Sequence, residues 1–229
     1  MKHSSVYITG TDTGVGKSLV SATLLAALNA RGVRAVGMKP IASGSESTPA
    51  GLRNADAELL LAHSAGKPAY AEVNPYTFVD PIAPHLAAAD AGVEIDVARI
   101  RSAFAALSAS ADIAVVEGVG GWMAPLGPRL MQADLARALG LPAILVVGLR
   151  LGCINHALLS ARAIEADGIE LVGWIGSGVD AQMARREDNL ATLGERLRVP
   201  CLGVLPHDAA PAPAALAAHL GVACDRLLR

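Results

Sequence analysis

Cysteine is scarce in this sequence. Three of the 229 residues are cysteines, Cys153, Cys201 and Cys224, and they lie far apart in the chain. An odd number of widely separated cysteines argues against a disulfide framework, and the paired spacing of a zinc or redox motif is missing. The cysteine content therefore favours a reducing compartment, and we expect a cytoplasmic protein.

Hydrophobic runs of membrane-spanning length are also missing. The strongest apolar stretch, residues 141–149, is far shorter than the roughly 20 residues that a spanning helix requires, and we interpret it as a buried strand. A first strand begins at Val6, which leaves no room for the charged region and apolar stretch of a secretory signal peptide. We therefore expect no membrane partner.

Clusters of basic residues are the third absence. Lysine and arginine together number 19 against 21 aspartates and glutamates, the formal net charge is −2, and the basic residues are scattered. Because a nucleic-acid surface or a polybasic membrane surface needs clustered positive charge, we expect neither partner. Linkers, charge blocks and internal repeats are missing too, and with 52% hydrophobic residues the chain can bury one full core. We predict a single domain over residues 1–229.

The segment GTDTGVGKS at 10–18 is the most informative motif that is present. It lies between a short apolar run and a long Ala/Leu segment, which is the order of a strand, a glycine-rich loop and a helix. The glycines let backbone N–H groups form a concave anion nest, to which the following helix presents its positive end. Lys17 adds a cation for terminal phosphates, and Ser18 adds a hydroxyl for Mg²⁺. The motif predicts a nucleotide phosphate site, although Gly10 and Gly16 are separated by five residues where the strict P-loop pattern has four.

Around this motif, apolar runs and helical patterns alternate along the chain. We predict strands at 6–9, 34–38, 113–116, 142–147, 171–175 and 201–205. Helices are predicted at 17–30, 55–63, 85–90, 96–107, 132–139, 154–166 and 183–197, followed by an Ala-rich tail, with residues 41–53 as a loop. The alternation predicts an α/β fold: a single doubly wound, mainly parallel sheet of the P-loop NTPase type, with helices on both faces.

Three charged residues are candidates for phosphate chemistry. Lys39 ends the second strand, where Pro40 keeps the chain extended, so Lys39 shares a sheet edge with the phosphate loop. Glu117 closes an apolar strand before a run of glycines, as a Mg²⁺-linked carboxylate does. Asp56 lies in the first turn of a helix that Asn54 can cap. Each also has a plainer interpretation: a solvated surface lysine, a turn carboxylate, and a complement to the helix dipole, respectively.

The phosphate loop, the stretches around the three charged residues and several further segments resemble the dethiobiotin synthetases, which are ATP-dependent ring-closing enzymes of biotin synthesis. The resembling segments are GTDTGVGKS at 10–18, KPIASGSE at 39–46, GLRNADA at 51–57, VNPYTF at 73–78, VEGVGGW at 116–122, ILVVGLRLGCINH at 144–156 and GWI at 173–175. They are distributed over nearly the whole chain, and the lengthened phosphate loop is the form that this family has.

The resemblance implies a specific reaction. In the family, 7,8-diaminononanoate takes up CO₂ on one amine as a carbamate, which attacks the γ-phosphate of MgATP to give a carbamic–phosphoric anhydride. The second amine then closes a ureido ring, and dethiobiotin, ADP and phosphate are released. The resemblance thus implies ATP and Mg²⁺ as cofactors, the diamine and CO₂ as substrates, and a homodimer whose site lies near the subunit interface.

The resemblance also implies roles for individual residues. Lys39 is similar to the family's catalytic lysine, which bridges the carbamate and the γ-phosphate, and Lys17 is implied as a second catalytic cation. The implied Mg²⁺ ligands are Ser18, Asp56 and Glu117. The implied nucleotide contacts are Thr13, Gly14, Val15, Gly16, Lys17, Ser18, Leu19, Asp56, Glu117, Gly118, Val119, Gly120, Ser177, Pro206, His207 and Asp208. The implied substrate contacts are Ser43, Gly118, Gly152, Cys153, Ile154 and Asn155, the last four forming a turn that reaches the substrate across the dimer. The backbone of Gly118–Gly121 is also expected to help line the diamine pocket.

Two positions depart from the family's pattern. After GWI, many members have an Asn-Asp pair whose asparagine reads the adenine edge, whereas this chain has Gly176, Ser177 and Gly178. Because base recognition depends on a side chain that can both donate and accept, we expect a relaxed nucleotide preference. The second departure is Asn189, where some relatives have a tyrosine near the carboxylate end of the substrate.

Two other functions stay open at this point, because a fold by itself does not separate them. A ParA/MinD-like switch ATPase has the same fold, but such proteins usually carry an extra lysine early in the phosphate loop, where this chain has TDT at 11–13. They also often have a membrane- or DNA-binding element, which we do not expect here. The other alternative is an amidotransferase-type synthetase domain or a non-catalytic relative fused to larger enzymes, against which the single-domain length argues.

Overall fold

A computed structural model describes residues 5–207 and 212–229 of the chain. Its central sheet has six strands: β1 (Val6–Gly10), β2 (Ala35–Met38), β7 (Ile113–Glu117), β8 (Ala143–Gly148), β9 (Leu171–Ser177) and β10 (Cys201–Leu205). The strand order is β10-β9-β8-β1-β7-β2, and every neighbouring pair is parallel. The predicted doubly wound parallel sheet of the P-loop NTPase type is therefore confirmed, while the extent of the domain over residues 1–229 stays a prediction.

Four short strands lie outside the central sheet. Strand β3 (Ile41–Ala42) pairs in parallel with β6 (Tyr76–Thr77). Strands β4 (Glu46–Thr48) and β5 (Gly51–Arg53) form an antiparallel hairpin. The prediction of residues 41–53 as a loop was therefore wrong, because strands of two or three residues are too short to show a period in the sequence.

Ten α-helices connect and cover these strands. They are α1 (Lys17–Ala30), α2 (Ala55–Ala62), α3 (Tyr70–Val73), α4 (Pro84–Asp90), α5 (Val97–Ala109), α6 (Gln132–Leu139), α7 (Cys153–Ala166), α8 (Arg186–Arg196), α9 (Pro213–Leu216) and α10 (Gly221–Leu227), with a 3₁₀ turn at Ala217–Leu220; this count covers residues 5–207 and 212–229 alone. Among them, no helix in the described chain is long and apolar enough to cross a membrane.

The sheet is buried on both faces. Along β1, Val6 and Ile8 belong to the core that contains α1, α9 and α10, whereas Tyr7 belongs to the core that contains α5, α6 and α7. All five residues of β1, all five of β7 and all six of β8 are buried. This two-sided burial explains why these strands are continuous hydrophobic runs rather than alternating patterns.

Candidate active site

The phosphate loop leads directly into α1. This helix begins at Lys17, after Gly16, whose φ of 84° is one that glycine adopts readily. In the part of the chain that the structure describes, no side chain caps this helix, and its first turn contains no acidic residue. The first-turn N–H groups and the positive end of the helix dipole are therefore available to an anion. Lys17 Nζ donates to the backbone oxygen of Asp12 at 3.0 Å, so this cation lies over the loop.

A cavity of about 450 Å³ opens beside this helix end. The phosphate loop, the end of β2, the start of α2 and the end of β7 all contribute to its wall. The residues that line it are Thr13, Gly14, Gly16, Lys17, Ser18, Lys39, Ala42, Ser43, Asn54, Asp56, Glu117, Val119 and Gly120. Most of the phosphate-loop, metal and catalytic residues that the resemblance implied are thus brought to one place.

Lys39 lies at the centre of a charged network in this cavity. Its Nζ donates to Glu117 Oε1 at 2.5 Å and to Asp56 Oδ2 at 2.9 Å. The same Glu117 oxygen accepts a hydrogen bond from Ser18 Oγ at 2.7 Å. Lys39 is only 3% exposed, so the interpretation of this residue as a solvated surface lysine is wrong.

The neighbouring backbone holds Lys39 in place. Its N–H donates to the oxygen of Val73 at 2.8 Å, and its own carbonyl oxygen accepts from Asn74 Nδ2 at 2.6 Å. Asn74 is itself buried and also donates to the carbonyl oxygen of Tyr76. The chain therefore leaves β2 in one fixed direction, with the lysine side chain turned into the cavity.

Burial and charge act in opposite directions on these groups. Burial alone would lower the pKa of Lys39, but the carboxylates of Glu117 and Asp56 outweigh it and hold that pKa above its ordinary value. Burial would raise the pKa of Asp56, but the positive charge of Lys39 outweighs burial and holds that pKa below its ordinary value. Burial, aided by the charge of Lys39, lowers the pKa of Lys17 to about 8. Lys39 is therefore kept cationic by the two carboxylates.

The oxygen atoms around Lys39 also fit a divalent cation. Glu117 is fully buried, yet its Oε2 has no hydrogen-bond partner among residues 5–207 and 212–229. A buried carboxylate oxygen without a partner is costly, which indicates that a further ligand belongs there. The described chain has no cluster of three or more His, Cys, Asp or Glu that could hold a metal alone. Two carboxylates and the Ser18 hydroxyl match Mg²⁺, which usually takes its other ligands from phosphates and water.

Asn54 and Ala42 also line the cavity, although neither was predicted as a site residue. Asn54 is the predicted cap of α2, and its Oδ1 accepts from the N–H groups of Asp56 and Ala57, which confirms that role. Its Nδ2 also donates to the carbonyl oxygen of Ser43 at 3.2 Å. Asn54 thus connects the residue that starts α2 with the loop that follows β3. Its position before a helix was the only sequence signal.

The turn before α7 lies apart from this cavity. Within the described residues, none of the cavity-lining side chains comes from Gly152, Cys153, Ile154 or Asn155. Cys153 is 1% exposed and belongs to the core, so its side chain faces away from solvent. Asn155 is exposed, and so is Leu151 four residues earlier, at 93%. Substrate contacts from this turn stay a prediction.

The predicted base-binding residues lie at the ends of β9 and β10. Ser177 is 3% exposed, and its Oγ occupies the space that a Cβ on Gly16 would need, so this hydroxyl is turned to the phosphate loop. His207 is exposed, with Nδ1 lying 3.0 Å from the carbonyl oxygen of Gly178. Asp208 lies outside the described residues. Nucleotide contacts by Pro206 and His207 stay predictions.

Three other implied nucleotide contacts lie behind the cavity wall. Val15 is 1% exposed and packs against Gly10 and Gly148, so only its backbone can face a nucleotide. Leu19 lies one residue into the helix beyond Ser18 and packs partly against the α1 core. A Cβ on Gly118 would meet Gln132 Nε2 at 2.5 Å, so that glycine faces a buried side chain. Their assignments stay predictions.

The chain is similar to known proteins over almost its whole length. Residues 4–214 match the family described as AAA domain. The sequence is 57% identical over 206 residues to the ATP-dependent dethiobiotin synthetase BioD of Xanthomonas euvesicatoria pv. vesicatoria (strain 85-10), covering 90% of this chain and 92% of that protein. It is 54% identical to the protein of the same name from Pseudomonas paraeruginosa (strain DSM 24068 / PA7), covering 93% and 94%. The chain belongs to the dethiobiotin synthetase family.

Solved structures resemble this dethiobiotin synthetase family member in fold. The MinD cell division protein of Aquifex aeolicus superposes with a TM-score of 0.60 at 16% identity, covering 98% of this chain and 97% of that one. At this identity the likeness concerns the fold alone, and one fold hosts unrelated functions. The MinD-like switch ATPase therefore stays the weaker alternative.

Proposed function

We propose that this chain closes the ureido ring of dethiobiotin from 7,8-diaminononanoate and CO₂ at the expense of ATP. The observation that carries the proposal is the position of Lys39. A buried amine that two carboxylates keep cationic, placed beside a phosphate loop, has no task in binding the nucleotide base, but it suits an anion that must approach the γ-phosphate. Membership of the dethiobiotin synthetase family supports the same conclusion.

The proposed reaction needs positioning and charge neutralisation rather than a protein nucleophile. One amine of the diamine attacks the carbon of CO₂ and loses a proton, which gives a carbamate. A carbamate oxygen attacks the γ-phosphorus of ATP, and ADP leaves from that phosphorus, which gives a carbamic–phosphoric anhydride. The second amine attacks the carbonyl carbon of this anhydride and loses a proton while phosphate leaves, which closes the ring. Two anions meet in the phosphoryl-transfer step, so cations at the site lower its barrier.

The residues in the cavity divide these tasks. The N–H groups at the start of α1 and the Lys17 amine bind the terminal phosphates. Lys39 stabilises the carbamate and the phosphoryl group that it attacks, and Ser43, on the loop that follows β3, contacts the diamine. Ser18, Asp56 and Glu117 hold Mg²⁺, which neutralises phosphate charge when bound.

The active form is a homodimer in this proposal. Support comes from the exposed turn before α7, where Leu151 presents an apolar side chain next to Gly152 and Asn155. In the dimer, the N–H groups of this turn on one subunit bind the carboxylate of the diamine in the other subunit's site. Sedimentation analysis of the wild type and of Leu151→Asp tests this, and a monomeric wild type at active concentrations would refute it.

The direct test of the function is phosphate release from MgATP and bicarbonate, with and without the diamine, combined with mass detection of product. We expect release that depends on the diamine, with one dethiobiotin formed for each phosphate. Phosphate release that is indifferent to the diamine would refute the proposal and favour the switch ATPase.

Nucleotide preference provides a further prediction. The only side chain at Gly176–Gly178 is the Ser177 hydroxyl, which is buried against the phosphate loop, so no side chain of this segment is placed to read an adenine edge. We expect CTP and GTP to support turnover within about tenfold of ATP, because phosphate contacts are shared by all nucleotides. The measurement is kcat/KM for each nucleotide at saturating diamine. A strong preference for ATP over both competitors would contradict the prediction.

Asp56→Asn is expected to raise the Mg²⁺ concentration needed for half-maximal turnover by about tenfold. The effect is limited because the Asp56 side chain is 44% exposed, so water replaces part of the lost charge. Glu58→Gln is the matched control, since Glu58 lies on the same helix and pairs with Arg53 instead. An unchanged Mg²⁺ titration for Asp56→Asn would remove this residue from the ligand set.

A further inference from the structure

We propose that Tyr7 and Gln132 are positioning residues that set the glycine loop, residues 118–121, against the substrate. The inference rests on the proposed function, since it concerns the same cavity. Neither side chain lines that cavity among the described residues. Both are fully buried beneath the loop.

The two side chains form a continuous hydrogen-bonded chain to the loop. Tyr7 Oη donates to Gln132 Oε1 at 2.5 Å, and Gln132 Nε2 donates to the carbonyl oxygen of Val119 at 2.5 Å. The Val119 carbonyl oxygen can only accept, so it fixes the amide with its NH₂ group towards the loop; the amide oxygen then faces the tyrosine and accepts the phenol proton. These two hydrogen bonds thus determine the direction of the Val119 carbonyl group.

The glycine at 118 permits this arrangement. A Cβ there would lie 2.5 Å from Gln132 Nε2 and 2.9 Å from Tyr7 Oη, so any larger residue would force the pair and the loop apart. The N–H of Gly118 also donates to the carbonyl oxygen of Ile8 at 2.9 Å, which ties the start of the loop to β1. The loop is therefore held at 118 by backbone and at 119 by the side-chain pair.

The position of this loop matters for the reaction. Val119 and Gly120 line the cavity, and the residue before the loop is Glu117, which pairs with Lys39. Gln132 begins α6, and its own N–H donates to the carbonyl oxygen of Ala124 at 3.0 Å, so the side chain starts from a fixed point. A shift of the Val119 carbonyl would move the cavity wall without touching α1, which holds the phosphates from the other side.

Gln132→Met tests the inference, because it keeps the length of the side chain but removes the amide donor from the partly buried Val119 oxygen. We expect KM for the diamine to rise about tenfold, while the Kd for MgADP changes less than about twofold. Tyr7→Phe should have a smaller effect in the same direction and keeps the ring that packs edge-on against Trp122. Tyr7→Phe combined with Gln132→Met should be no worse than Gln132→Met alone, since both act through one chain.

Thr23→Val is the matched control, because it also removes a fully buried polar oxygen, but on α1 away from the loop. It should leave KM for the diamine unchanged. The inference would be overturned if both Tyr7→Phe and Gln132→Met lowered the melting temperature but left KM and kcat unchanged. It would also be overturned if the effects of the two substitutions on KM for the diamine were additive in the double variant. If Gln132→Met does not fold, the KM of Tyr7→Phe for the diamine tests the inference instead: a raised KM supports it and an unchanged KM overturns it. Absence of product with the wild type would instead refute the proposed function itself.

Discussion

Lys39→Met is expected to lower kcat by about 10³-fold or more while MgADP still binds. The variant removes the amine that we propose to contact the carbamate and the transferring phosphoryl group, so we expect the change to act on the transition state more than on the bound substrates. Methionine keeps the length and the apolar stem of the lysine. The measurements are turnover under saturating substrates and MgADP affinity by calorimetry.

The same variant should also show a metal-dependent change in stability. Without Lys39, the hydroxyl of Ser18 is the one hydrogen-bond partner that the buried Glu117 carboxylate keeps among residues 5–207 and 212–229, and removing one partner of a buried ion pair costs about 3 kcal/mol or more. Mg²⁺ with ADP supplies a new counter-charge, so we expect the melting temperature to recover when both are added.

Lys67→Met is the control for this prediction, since Lys67 is an exposed lysine on the surface. It should leave turnover and melting temperature unchanged. Near-normal turnover of Lys39→Met would remove Lys39 from the proposed chemistry. A melting temperature of Lys39→Met that does not respond to Mg²⁺ and ADP would contradict the placement of the metal at Glu117.

Glu117→Gln is expected to lower kcat about 10²-fold and to raise the Mg²⁺ requirement more than Asp56→Asn does. Glu117 is fully buried, whereas Asp56 is partly exposed, so water does not replace the lost charge at Glu117. Glutamine keeps an oxygen that accepts from Ser18 but removes the anion that the cation and Lys39 share.

The control for Glu117→Gln is Glu195→Gln, which makes the same chemical change at an exposed position on α8. We expect this control to match the wild type in its Mg²⁺ titration. Equal Mg²⁺ requirements for Glu117→Gln and the wild type would exclude Glu117 as a ligand, whatever the change in kcat.

Several elements were predicted from the sequence with little error. The bounds of α1, α6 and β10 agree with the prediction, and the predicted strand at 6–9 extends by one residue to Gly10. Local signals were strong there: a glycine-rich loop precedes α1, and Gly140 in a left-handed conformation ends α6. The helix predicted at 183–197 begins only at Arg186, since its preceding residue, Arg185, has a φ of 54° that no sequence rule indicated.

The network at Lys39 was only partly predictable. Its three charged members were identified one by one from strand ends and a helix start, each with a plainer interpretation beside it. Strand order brings them together, because β7 lies between β1 and β2, so that Glu117, the phosphate loop and Lys39 end at the same edge. Both side chains are buried, which argues against the plainer interpretations of Lys39 as a solvated surface lysine and of Glu117 as a solvated turn carboxylate.

By itself, the sequence determined the fold class, the phosphate loop and the family, since these depend on periodicity, on glycine spacing and on residues that lie close together in the chain. Only the tertiary structure decided which buried polar groups meet. Tyr7 and Gln132 are separated by 125 positions, and no local pattern marks either one. Their contact depends on how α6 packs against β1, because a buried hydrogen-bonding group must find its partner wherever the packing of the chain provides one.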